Sequence, residues 1–205
     1  MVSALALSLL LSSVTTQAPS VPDCGDEELE ARTNCMLSTS DDTGWRLIFA
    51  FRPEGEDARL VDVLLVAVDG VPTDQSTYAL ERGFLPPRLI DVDGDGAEDL
   101  LLPLATGVVN SDWHIAFGTG LGFADMDAEA LNGHTVQPVA PGLFAVHARG
   151  SASSHSVVFH AREGFAVRSE AVVSVTFEDE GAQCRLVTEG AARGEEFYCQ
   201  AALSN

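Results

Sequence analysis

From Trp45 onward, short apolar runs alternate with clusters of Gly, Pro, Asp and Asn. Runs of this length with period-two patterning between turn signals read as strands. They fall at 45–51, 60–68, 76–80, 88–91, 99–104, 113–118, 135–139, 143–149, 155–161, 164–177, 183–188 and 195–201. Leu60 to Val68 is apolar on both faces apart from Asp62, which marks a central strand. Asp69-Gly70 and Arg162-Glu163-Gly164 supply tight-turn signals. No helical stripe of three turns follows residue 44, and Ala124 to Leu131 has room for one short helix. The pattern predicts an all-β fold, an antiparallel meander that is propeller-like or a sandwich.

The N-terminal part reads differently. Met1 to Val14 carries the apolar run Ala4 to Leu11, and no charge precedes Asp23. The run is shorter than the roughly 20 residues that cross a bilayer. It fits a secretory signal ending at Thr16-Gln17-Ala18. The expected division is a signal peptide at 1–18, an N-terminal extension at 19–44 and a β-domain at 45–205. Glu27 to Arg32 fits one helical turn. The mature chain is expected to be periplasmic or secreted, with no membrane span.

Four cysteines allow three pairings and suit an oxidising compartment. Sequence locality favours Cys24 with Cys35 and Cys184 with Cys199. If 183–188 and 195–201 form a symmetric hairpin, Cys184 faces Cys199. Neither pair has the C-x-x-C spacing of a zinc site.

Charge then narrows the function classes. The chain has 31 acidic and 11 basic residues, a formal charge of −20. Nucleic-acid binding needs clustered Lys and Arg, so it is not expected. All eleven basic residues are arginines. Schiff-base chemistry and P-loop phosphate binding, which need a lysine amine, are excluded.

One motif carries specific chemistry. Asp91-Val92-Asp93-Gly94-Asp95-Gly96-Ala97-Glu98-Asp99 reads D-x-D-x-D-G-x-x-D. Calcium takes six to eight oxygen ligands on a flexible loop. Carboxylates of Asp91, Asp93 and Asp95 at alternate positions can curl around one ion. Gly96 permits the turn, the Ala97 carbonyl can supply the seventh position, and Asp99 the ninth, directly or through water. An EF-hand is ruled out, because its bidentate Glu is replaced by Leu102 and Pro103 blocks the exit helix. The loop therefore joins strands, and Ca2+ is the expected ion.

Asp91 to Leu102 resembles the calcium loop of FG-GAP (integrin-α-like, VCBS-type) propeller repeats. The single copy and the order of features resemble a narrower group, the periplasmic i-type lysozyme inhibitors and related immunity proteins against peptidoglycan hydrolases. In that group a Gly-rich loop and an aromatic strand follow the calcium loop; here Thr106 to Asp112 and Trp113 to Phe117 stand in those places. The resemblance implies partner contacts at Thr106, Gly107, Asn110, Ser111 and Trp113. The Ser-Gly-x-Tyr loop of the inhibitors is absent; Thr106-Gly107 and Ser111-Asp112-Trp113 are the nearest equivalents. The implied function is an exported calcium-binding module for another protein, such as a cationic cell-wall hydrolase that it inhibits. A calcium-dependent adhesion or glycan-binding module, and a secreted hydrolase, are the alternatives.

No catalytic residue stands out, and the chain is not expected to be an enzyme. His155 and His160 lie five apart, so they face opposite sides of one strand. Ser151 to His155 places hydroxyls near an imidazole but without a nucleophile elbow.

Overall fold

A computed structural model describes residues 21–26, 33–41, 43–54, 58–81, 85–179 and 181–204. The expected signal at 1–18 and the helical turn at 27–32 lie outside the described residues. The chain is all-β, built as three antiparallel sheets in sequence order, with no closed barrel among the described residues.

The first sheet runs β1 (Cys35–Ser38), β2 (Arg46–Glu54), β3 (Ala58–Val66) and β4 (Pro72–Leu80), each beside the next. The second holds β5 (Arg88–Ile90), β6 (Asp99–Thr106), β7 (Ser111–Thr119), β8 (Gly122–Asp125) and β9 (Leu131–Gly133). Its order is β5-β6-β7-β8; β8 pairs the end of β7 and β9 pairs its start. The third is a meander of β10 (Thr135–Ala140), β11 (Leu143–Arg149), β12 (Ser154–Glu163), β13 (Ala166–Glu178) and β14 (Gly181–Leu186). One helix, α1 (Glu195–Leu203), follows.

Alternation along the strands explains how the sheets stack. On β6, Leu100 and Leu102 join Leu47, Phe49, Val61 and Val63 of the first sheet in one core. Leu101 points the other way and packs with Trp113, Ile115 and Phe117 against Val136, Phe144 and Val146 of the third sheet. The second sheet is thus buried on both faces, which is why Leu100-Leu101-Leu102 is unbroken. On β11, Leu143 and Ala145 face away from Phe144 and meet Val157, Phe159, Val173 and the helix residues Tyr198 and Ala202. The helix covers the outer face of the third sheet.

Two sequence expectations are corrected. Residues 195–201 form helix α1, not a strand. The run Glu195-Glu196-Phe197-Tyr198-Cys199-Gln200-Ala201-Ala202-Leu203 lacks any β-branched residue and is rich in helix formers. Its first-turn glutamates complement the helix dipole. The Cys184–Cys199 disulfide therefore ties β14 to a helix, with Cα atoms 5.6 Å apart. Ala124 to Leu131 holds no helix; it ends β8 and crosses to β9. The Cys24–Cys35 disulfide also forms, and both sulfurs lie in the first core, so the segment around them belongs to the β-structure. No described helix is long and apolar enough to cross a membrane.

Candidate metal centre and hairpin tip

β5 ends at Ile90, and the acidic loop returns the chain to Asp99 at the start of β6. Gly94 and Gly96 adopt φ of 70° and 93°, a region that disfavours side chains, so the two glycines let the loop curl. Its N–H groups point inward onto the carboxylates. Asp95 donates to Asp91 Oδ1 and Asp93 Oδ1, both at 3.1 Å, and Gly96 donates to Asp91 Oδ2 at 3.1 Å. The Ala97 N–H donates to Asp95 Oδ1 at 2.9 Å.

Asp99 anchors the loop. Its Oδ2 accepts the Val92 N–H and its Oδ1 the Gly118 N–H on β7, each at 2.8 Å. The side chain is fully buried. Burial raises its carboxyl to about 7; the N–H donors of Gly118 and Val92 oppose the rise, and the charges of Asp93 and Asp95 add to it.

Asp91, Asp93 and Asp99 each bring one oxygen into a group whose members all lie within 4.8 Å of one another. Three carboxylates at that range repel, and a divalent cation offsets the cost. These three residues could hold a metal ion. Asp95, expected as a ligand, lies outside the group. Its Oδ2 accepts Arg162 Nη1 at 3.0 Å, and the same nitrogen donates to Asp93 Oδ2. Arg162 comes from β12, and its guanidinium lies 4.2 Å from the Phe117 ring centroid. A further bond runs from the Gly142 N–H to the Asp93 carbonyl at 2.6 Å. The loop thus clamps the second sheet to the third. The sequence shows Arg162 only as part of a turn, and nothing in its spacing links it to a loop 67 positions away.

The expected partner residues divide into two groups. Thr106, Gly107 and Asn110 lie on the β6–β7 hairpin, where Gly107 N–H donates to Asn110 O at 2.8 Å. Val108 and Val109 project into solvent at the tip, Val108 fully. Asn110 fixes the base: its Oδ1 accepts the Arg149 N–H at 2.9 Å and its Nδ2 donates to the Arg149 carbonyl at 3.2 Å. Ser111 and Trp113 are interior instead, 4% and 2% exposed. Alternation on β7 turns Trp113 into the core with Ile115 and Phe117. Its Nε1 donates to the Gly133 carbonyl at 2.9 Å. The indole is therefore not open to contact from the surface.

The acidic loop and the hairpin tip occupy opposite ends of β6. Seven strand steps separate Asp99 from Thr106, about 23 Å at the usual rise. Elsewhere, Asp125 accepts from Tyr78 Oη at 2.6 Å and lies 2.8 Å from His114 Nε2, joining the first two sheets.

No family model matches the chain, and no curated protein does. Among solved structures, it is similar to a Xanthomonas type IV secretion system related protein, with a TM-score of 0.50 and 8% identity. The similarity covers 78% of this chain and 95% of that one. At this identity it shows a shared fold.

Proposed function

We propose that this chain is an exported β-protein, stapled by a bound Ca2+, that binds another protein through its β6–β7 hairpin tip rather than acting as an enzyme. The carrying observation is the solvent-facing Val108-Val109 pair on a hairpin whose base Asn110 bonds to Arg149. An apolar tip on a braced base offers contact area with little ordering cost.

The ion is proposed as Ca2+ because the three side chains that meet are all hard oxygen donors. Bound there, it would balance carboxylate charge. The protein's own residues do the positioning: Asp99 fixes the loop to β7, and Arg162 fixes it to β12. The distance to the hairpin makes this a structural staple, not a partner contact. Two disulfides fit an oxidising, extracytoplasmic location. The structural neighbour's description as secretion-system related is compatible with an exported interaction module.

The partner proposed is a cationic cell-wall hydrolase, which a chain of charge −20 would attract by long-range steering. The test is a panel of purified peptidoglycan hydrolases assayed for inhibition and for binding by interferometry. The expected result is binding that weakens with salt and falls about tenfold or more in Val108→Asp. Absence of binding across the panel, or full binding by Val108→Asp, would overturn the reading.

A further inference from the structure

Near the hairpin end, three imidazoles gather around one guanidinium. On β11, His147 and Arg149 share a face, and Arg149 stands directly opposite His155 of β12. Arg149 Nε donates to His155 Nε2 at 3.4 Å. His134, at the junction of β9 and β10, places its ring 5.7 Å from that of His155 and 6.1 Å from that of His147. The His134 N–H donates to the His147 carbonyl, holding the junction in place. Phe177 of β13 closes the other side, its ring 5.1 Å from His155.

Arg149 carries the fixed charge of this cluster. Burial and the charges of His155 and Arg149 hold His134 below the usual imidazole range, while burial, with His134 and His155, pushes His147 down to about 4. On neighbouring strands, Asp112 accepts from Asn132 and Glu178 from Gln183. No carboxylate among the described residues pairs with Arg149. In a chain with 31 acids and 11 bases, such a grouping is unlike the rest of the surface. A guanidinium without a carboxylate partner, flanked by imidazoles that can donate N–H groups, favours an anion.

We propose that Arg149, His134 and His155 form a binding site for an oxyanion, a carboxylate or phosphate group. The guanidinium fork presents two parallel N–H groups to such a ligand. The Ser151 and Ser154 hydroxyls, 2.8 Å apart, lie in the segment that joins Arg149 to His155. His147 is buried behind the site and contributes no direct contact. The site is independent of the acidic loop and of any protein partner.

Side-chain NMR of His and Arg tests this, with inorganic phosphate and acetate titrated separately and chloride keeping ionic strength constant. Saturable shifts at His134, His155 and Arg149 are expected. Saturation by phosphate alone assigns a phosphate group, and by acetate alone a carboxylate. Arg149→Gln should weaken binding about tenfold. That variant keeps the hairpin brace, because Asn110 bonds to the Arg149 backbone, and His155→Gln gives a second, milder probe. Linear shifts matching those from chloride, or unchanged affinity in both variants, would overturn the proposal.

Discussion

Arg162 Nη1 lies 3.0 Å from Asp95 Oδ2 while also donating to Asp93, so a cation from the third sheet already occupies part of the acidic loop of the second. The loop is therefore balanced in part by the protein itself. Replacing Arg162 by Gln should loosen the contact between the sheets and lower the melting temperature in chelator. It should also raise calcium affinity about threefold to tenfold, because a competing positive charge is gone. Calorimetric titration of the variant checks this; weaker calcium binding would show that Arg162 organises the ligands instead.

Calcium should stabilise the fold. At one hundred times its dissociation constant, the gain is about 2.7 kcal/mol, or roughly 5 to 10 °C for a chain of this size. Thermal melts with calcium and with chelator measure the difference. Changing Asp91 and Asp93 together to Ala should abolish it, since both bring oxygens to the candidate group.

The Cys184–Cys199 bridge holds α1 on the third sheet. Replacing both cysteines by Ser should cost about 3 kcal/mol by loop-closure entropy. Hydrogen exchange should then rise first at the Tyr198 and Ala202 amides, which lie in the helix that the bridge tethers. An unchanged exchange rate there would mean packing alone suffices.

Two buried histidines should lower stability as acid is added, against the opposite slope of Asp99, whose carboxyl is raised to about 7. Burial pushes His160 to about 4, and its Nδ1 has no hydrogen-bond partner; its ring stacks on Phe144 at 5.4 Å. His147 is lowered to about 4 as well. A histidine whose folded value is depressed contributes stability above about 6.5, lost as pH falls from there toward the folded value. Each contributes a slope of at most about 1.4 kcal/mol per pH unit. Urea unfolding between about pH 7 and pH 5 reads the slope, and His160→Leu should flatten it.

Much of the strand pattern was legible because period-two alternation depends only on local sequence. The paired turn at Asp69-Gly70 and both disulfide pairings followed from spacing. The last segment, 195–201, was misread because a short apolar-polar alternation resembles a strand, and the helix forms where Tyr198 and Ala202 find the exposed face of the third sheet. In the acidic loop, the sequence marked Asp91, Asp93, Asp95, the Ala97 carbonyl and Asp99, of which the side chains of Asp91, Asp93 and Asp99 meet. It could not show that Asp95 turns to Arg162, because that contact joins residues 67 apart.

The order of residues by itself determined an all-β chain with one acid-rich turn between strands, since strand periodicity and turn chemistry are short-range properties. Only the tertiary structure decided which carboxylates meet, that Trp113 is interior while Val108 is not, and that Arg149 gathers His134 and His155 around it. Those outcomes depend on which face of each strand meets its neighbouring sheet, and that is fixed by packing across long stretches of chain rather than by any local pattern.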